Sequence, residues 1–318
     1  MATQQKPEMV LSSLEKEGYR ARIVSIRHVK DLQAQIEGLN RQNLFSPEFY
    51  KEFLEEFNYT VNEGFSETGS IIVVAAPQPQ VRFQFEWGGK TSAFLVPPTY
   101  LEGSQKVLEV LESLLVPRGY RVVRASLPVK TLAVCSGLGA YGRNNICYVD
   151  GLGSFIRLSA FYSDYPCPED HWQEPALMES CKNCTVCYQK CPTGAITPDR
   201  VLIQAEKCIT LHDERPNNVP FPDWLDPALL KCVVGCMLCQ KSCPQNKKVA
   251  NWISDGESFS EEETRLLLEG IPKEQLPASM VEKLDRSNFK YLLEVIPRNL
   301  AALLNPAVQA NQDVTASP

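Results

Sequence analysis

Cys181-Lys182-Asn183-Cys184-Thr185-Val186-Cys187-Tyr188-Gln189-Lys190-Cys191-Pro192 spaces four cysteines as C-x2-C-x2-C-x3-C-P, and Cys232-x3-Cys236-x2-Cys239-x3-Cys243-Pro244 repeats its second half. This is the spacing of cubane iron–sulfur ligands. Thiolates separated by two residues on a tight turn can reach one cluster. The cysteine beyond the x3 gap leaves that turn at its proline and reaches another. Two such runs predict two 4Fe-4S clusters that exchange one ligand each, and with them electron transfer. Cys181, Cys184 and Cys187 would hold the first cluster, with Cys243 returning from the second run, and Cys191 would cross over to join Cys236 and Cys239. The fourth ligand of the second cluster is Cys208 or Cys232; spacing leaves both open. Zinc also binds C-x2-C pairs, but nine cysteines between Cys181 and Cys243 with two C-P endings argue against it.

The other 3 of the 12 cysteines, Cys135, Cys147 and Cys167, lie outside the runs and read as small buried hydrophobes. The three histidines, His28, His171 and His212, show no ligand or triad spacing. At 318 residues and 44% hydrophobic, the chain can build one large core or two ordinary ones. Its polar start, Met1-Ala2-Thr3-Gln4-Gln5-Lys6, carries no apolar leader, and the longest apolar stretch, Ile71–Ala76, is too short to span a bilayer. The expectation is a cytoplasmic protein without membrane contact, with thiols kept for metal rather than for disulfides.

A net charge of −6 gives no global basic character for nucleic acid. The charge is nevertheless uneven. Residues 113–149 hold Arg118, Arg121, Arg124, Lys130 and Arg143 and no acid, and residues 227–254 hold Lys231, Lys241, Lys247 and Lys248 and no acid. Such stretches suit an anionic ligand or a phosphate backbone, and equally suit offsetting the charge of thiolate-bound clusters.

Upstream of the cysteines, helical and strand patterns alternate. Val10, Leu11 and Leu14 face one way on an opening helix that Gly18 stops, and 22–26 reads as a strand. Ser46 followed by Pro47 and Glu48 forms a capped start for a helix over 47–57. Residues 70–76 read as a buried strand, 101–115 as a helix, 120–125 as a strand, 131–136 as a helix and 154–162 as a strand. This is an α/β (α+β) pattern. Ser260-x-x-Glu263 is a capping box, with Gly270 and Pro272 ending that helix; 276–284 and 289–295 read as further short helices. The expected organisation is an α/β module over 1–165, a double-cluster region over 166–250, a helical appendage over 251–304 and a disordered tail over 305–318.

Between the two patterns lies Gly137-Leu138-Gly139-Ala140-Tyr141-Gly142-Arg143-Asn144. Its glycines fit G-x-G-x-x-G only superficially: a helix precedes them and no acid stands at the ribose position. They suit close backbone approach to a large planar or anionic ligand, or an ordinary turn.

The order of these motifs carries a resemblance. Leu132-Ala133-Val134-Cys135-Ser136-Gly137-Leu138-Gly139, Gly142-Arg143-Asn144, Gly153-Ser154-Phe155, the first cysteine run with Pro192-Thr193-Gly194-Ala195-Ile196, Cys208-Ile209-Thr210, and Gly235-Cys236-x2-Cys239-Gln240-x2-Cys243-Pro244 follow one another as in the epoxyqueuosine reductases. These are cobalamin-dependent enzymes related to reductive dehalogenases. The likeness covers roughly residues 120–245. It implies a nitroreductase-related module that holds base-off cobalamin, with Gly137, Gly139, Gly142, Asn144 and Ser154 as corrinoid contacts. A two-cluster ferredoxin-like module would deliver electrons to cobalt, fed by a low-potential donor such as ferredoxin or flavodoxin. It also favours Cys208 over Cys232 as the second cluster's fourth ligand.

Two departures stand out. The family's proton-donating aspartate has no counterpart in Val122-Val123-Arg124-Ala125-Ser126-Leu127-Pro128, and the family's G-K-N lysine is Arg143. Tyr141, beside Arg143, becomes the candidate donor, since a cation favours the phenolate left behind. The expectation is therefore an iron–sulfur, cobalamin-dependent reductase acting on a small molecule or a corrinoid other than epoxyqueuosine. The alternatives are the tRNA epoxyqueuosine reductase itself, with tRNA as partner, and a non-enzymatic electron carrier.

Overall fold

In the computed structural model, the described residues are 6–305 apart from 62–63, 66–67, 101–102, 168 and 201; the tail expected over 305–318 lies outside them but for its first residue. The chain begins α1 (Lys6–Lys16), β1 (Arg20–Ser25), α2 (Val29–Arg41), α3 (Pro47–Phe53), β2 (Ser70–Pro77), β3 (Gln80–Trp87), β4 (Lys90–Val96) and α4 (Ser104–Leu115). It continues β5 (Val122–Arg124), α5 (Val129–Cys135), β6 (Ala140–Tyr141), β7 (Cys147–Tyr148), β8 (Ile156–Ser163), α6 (Val186–Lys190), α7 (Ile209–Asp213) and α8 (Leu238–Lys241). It ends β9 (Ile253–Phe259), α9 (Glu261–Glu269), α10 (Ala278–Arg286) and α11 (Ile296–Leu304). Two compact units interleave along the sequence: residues 1–78, 103–185 and 196–204 form the first, and 79–102, 186–195 and 205–318 the second. Among the described residues, no helix is long and apolar enough to cross a membrane.

The first unit is built on a four-stranded sheet in the order β1-β2-β8-β5, antiparallel throughout. Both faces are covered, which is why β2 reads as an unbroken apolar run rather than an alternating one. Ile71, Val73, Ala75, Ala160 and Tyr162 face Val29 and Leu32 of α2 and Leu132, Ala133 and Val134 of α5. Ile72, Val74, Ala76 and Phe161 face Val10 and Leu14 of α1 and Val107, Leu111 and Leu115 of α4. Ser46 caps α3 by accepting from the Phe49 amide, as its sequence indicates.

The second unit rests on a sheet in the order β4-β3-β9, with β3 and β9 paired in parallel. The β3–β4 hairpin turns on Gly88 and Gly89, both at positive φ (59° and 73°), between the paired Trp87 and Lys90. That is a two-residue connection whose backbone matches the twist of the strands it joins. Gly256 of β9 lies so close to β3 that a Cβ there would stand 2.7 Å from Val81 Cγ1. The capping box at Ser260 and Glu263 is present, and Gly270 ends α9 at φ 67°.

Phe83, Phe85, Phe259 and Phe289 form a continuous aromatic core with α9, α10 and α11 packed on it. The C-terminal helices are thus part of a mixed layer, opened by a strand that the sequence reading missed. The helix read over 289–295 is a single 3-10 turn (Phe289–Leu292), and the α-helix follows it.

Candidate iron–sulfur site

The second unit carries most of the cysteines. Cys232 pairs with Leu95 at the end of β4, and the Val233 amide donates to the Leu95 carbonyl at 2.9 Å. From this anchor the chain turns at Gly235 (φ 73°), where a Cβ would meet the Tyr100 ring at 2.8 Å. The Gly235 amide donates to Asp213 Oδ1 at 2.9 Å. Met237, between Cys236 and Cys239, takes a left-handed conformation (φ 62°), which is uncommon for a residue with a side chain and aims the turn toward α8. The Cys243 amide then donates to the Gln240 carbonyl at 3.2 Å. α6, which carries Cys187 and leads to Cys191, lies against α8, which carries Cys239 and leads to Cys243. The two halves of the repeat therefore face each other as helices.

Cys208 stands at the N-terminus of α7. Burial pushes its thiol up, opposed by hydrogen bonds from the Thr210 amide and hydroxyl, and the neighbouring Cys191 pushes it further up. Burial pushes Cys236 up to about 12; the Leu238 amide opposes this, while Cys208, Asp213 and Cys191 add to it. Cys191, Cys208 and Cys236 are thus close enough for each negative charge to penalise the next. Partly buried thiols are soft donors of the kind iron–sulfur clusters need, and a metal's charge would reverse the penalty; among the described residues no three metal-ligating side chains are gathered into a ready site. Cys232 is 2% exposed and its Sγ stands 4.0 Å from the Cys236 carbonyl oxygen. Burial is the largest cause holding its thiol protonated.

In the first unit, the 3-10 turn at Glu179–Cys181 presents Cys181, and the Cys184 amide donates to the Cys181 carbonyl at 3.3 Å. Arg143 holds this loop: Nη2 donates to the carbonyls of Cys181 (2.9 Å) and Lys182 (3.2 Å), and Nη1 to that of Pro198 (3.2 Å). Tyr141 lies on β6, with its hydroxyl 3.0 Å from Thr131 Oγ1. Burial pushes its phenol up to about 12. Gly139 and Gly142 are closed by their own chain: a Cβ would stand 2.6 Å from the Tyr148 carbonyl oxygen at the first and 2.6 Å from Asn144 Oδ1 and the Tyr148 ring at the second. Gly137 (φ 72°) faces the His171 ring. Asn144 is buried and donates to Tyr148 Oη at 3.0 Å, and Ser154 is buried as well. These residues hold a tight turn over β6 and β7.

The basic stretch of the first unit also has local partners. Arg121 pairs with Asp164 (2.9 Å), Arg124 donates to Gln105 Oε1 (3.1 Å), and Lys130 reaches the Asn145 carbonyl (3.4 Å).

The same unit buries several weak acids. Burial raises Tyr59, Tyr141 and Tyr162 from 10.0 to about 12, and Cys147 from 9.0 to about 12. Each folded value exceeds the unfolded one, so the stabilisation is complete below about pH 9 and is lost as pH rises through 12. Thermal melting from pH 8 to 12 should fall with a shoulder beginning near pH 9–10. A melting temperature that stayed flat to pH 12 would contradict these burials.

The cysteine spacing and the paired helices are those expected of a double-cluster iron–sulfur domain. Residues 180–246 match the family described as the 4Fe-4S double cluster binding domain. By sequence, part of the chain is similar to epoxyqueuosine reductases. It is 38% identical over 152 residues to the epoxyqueuosine reductase of Burkholderia pseudomallei, covering 45% of this chain and 36% of that protein. It is 34% identical over 148 residues to that of Pseudomonas aeruginosa, covering 45% and 39%. The matched segment therefore spans less than two fifths of either curated relative. The fold likeness runs further: the epoxyqueuosine reductase of Streptococcus thermophilus superposes over 98% of this chain and 86% of its own, with a TM-score of 0.59 at 18% identity. An epoxyqueuosine reductase bound to an epoxyqueuosine-modified tRNA-Tyr stem loop covers 94% and 81%, with a TM-score of 0.58 at 19% identity.

Proposed function

We propose that this chain is a cytoplasmic iron–sulfur reductase of the epoxyqueuosine reductase kind, acting on the epoxyqueuosine of tRNA. The observation that carries the reading is the two-cluster cysteine framework set in a fold that follows epoxyqueuosine reductase along nearly the whole chain. The second cluster would be held by Cys191, Cys208, Cys236 and Cys239, and the first by Cys181, Cys184, Cys187 and Cys243. Cobalamin, when bound, would supply the strongly reducing centre. The chain's own residues then have separate tasks. Arg143 fixes the loop that presents Cys181, and Tyr141 keeps its proton on the phenol oxygen throughout the neutral range.

A second reading is a reductase for a different small molecule or for a corrinoid. It is favoured by one observation: the stretch that matches the family's aspartate, Val122–Pro128, contains no carboxylate. Anaerobic reconstitution with iron, sulfide and cobalamin, followed by incubation with epoxyqueuosine-containing tRNA and nucleoside analysis, tests the choice. Conversion to queuosine is the expected result. Full cluster loading and corrinoid binding without conversion would leave the second reading. Clusters without any corrinoid in the visible spectrum would leave an electron carrier.

A further inference from the structure

α11 lies far in sequence from every cysteine, yet its first turn reaches the backbone on which the second cluster's ligands are mounted. Asn299 is fully buried. Its Nδ2 donates to two carbonyls, that of Asp213 at 2.7 Å and that of Val233 at 2.9 Å. Asp213 closes the helix that Cys208 opens, and Val233 follows Cys232 and stands three residues before Cys236. One amide group thus joins the two separate segments that bring Cys208 and Cys236 together. The Asp213 side chain adds a second tie between the same segments through the Gly235 amide.

The orientation of the Asn299 amide is fixed from outside. Arg298 donates to its oxygen from Nε (3.2 Å) and Nη2 (3.1 Å), so the NH2 group faces the two carbonyls. Arg298 also donates from Nη2 to the carbonyls of His212 (2.8 Å) and Arg215 (3.1 Å), and from Nη1 to that of Val219, with its guanidinium 4.1 Å over the Phe221 ring. Ile296, Leu300, Leu303 and Leu304 bury the rest of the helix in the aromatic core. The donor is therefore mounted on a rigid element. Leaving buried carbonyls without a partner is costly, so the two segments have no equally good arrangement without it.

We propose that the Arg298–Asn299 pair of α11 is a positioning device for the second cluster, setting the separation of the Cys208 and Cys236 segments from outside the cysteine runs. This rests on the reading that those cysteines hold a cluster. Hydrogen bonding and ligand geometry around a cluster govern its spectroscopic signature and potential, so a shifted segment is read directly at the metal.

The test uses the full chain, reconstituted anaerobically with iron and sulfide. Asn299→Ala, Arg298→Lys and Leu303→Ala are compared with wild type by iron content, by electron paramagnetic resonance of the reduced clusters and by redox titration. Leu303→Ala removes core packing from the same helix and reports plain destabilisation. In Asn299→Ala and Arg298→Lys, one of the two cluster signals and its midpoint potential should move while the other stays at its wild-type value. Iron retained on gel filtration should fall by up to about half in Asn299→Ala. Leu303→Ala should melt earlier with both signals unchanged. If Asn299→Ala does not fold, Arg298→Lys, which keeps the charge and loses the planar fork, still decides the matter. Earlier melting with unaltered signals in both polar variants would overturn the proposal. Wild-type protein that loads only one cluster would overturn the ligand reading, and the proposal with it.

Discussion

Cys208→Ala is expected to lose about half of the cluster iron after anaerobic reconstitution, whereas Cys232→Ala should retain both clusters. Both residues are candidates for one coordination position, and their surroundings differ. Cys208 opens α7, receives hydrogen bonds from Thr210 and feels the charges of Cys191 and Cys236, the last of which Cys232 feels as well. Cys232 is locked in a bridge to Leu95 and buried to 2% exposure. Its replacement by alanine should cost packing, about 1 kcal/mol on the scale of a small buried group, and not metal. Iron and acid-labile sulfide measured on the same preparations decide it. Equal loss in both variants would overturn this assignment, and loss in Cys232→Ala alone would exchange their roles.

Phe289→Ala should destabilise the second unit by about 3–5 kcal/mol, the range for deleting a fully buried aromatic ring. The Phe289 ring centroid lies 4.4 Å from that of Phe83 and 5.4 Å from that of Phe259, and the side chain is wholly buried. The same core contains Ile209, Val233 and Val234, which flank Cys208 and Cys232. The cavity should therefore show as a lower denaturation midpoint and as faster loss of cluster absorbance on exposure to a chelator. A ring deletion that lowered the midpoint without quickening cluster loss would mean that the loops are held independently of this core.

Legibility in the sequence followed the range of the interactions. Local signals were readable. Ser46 and Ser260 announced their helices, β2 announced a strand covered on both faces, and the cysteine spacing announced the domain that residues 180–246 match. The β3–β4 hairpin was overlooked although its signal is local. Val81, Phe83 and Phe85 alternate with polar residues and run into Gly88-Gly89, a strong short-range turn signature. β9 was a different case. Its residues, Ile253–Phe259, are mostly polar, and it becomes a strand only because β3, more than 150 residues earlier, offers a parallel edge. Arg143 drew notice as the counterpart of the family's G-K-N lysine, and Tyr141 as the phenol beside that cation. The side chains engage Thr131 and the Cys181 loop, contacts that no pattern in one sequence encodes. Asn299 could not have been found at all from its neighbours in the chain.

The parallel pairing of β3 with β9 also bears on biosynthesis. A ribosome releases the hairpin, with Phe83, Phe85 and Phe94 on one side, long before it has made the strand and helices that cover them. Through that interval the nascent chain carries an uncovered apolar ribbon with an open edge, the kind of intermediate that chaperones shield. Metal loading of the second unit should accordingly be a late event, after β9 and the helices that follow it have been made. A fragment ending soon after Cys243 should be recovered aggregated and poor in iron, even though it contains every cysteine.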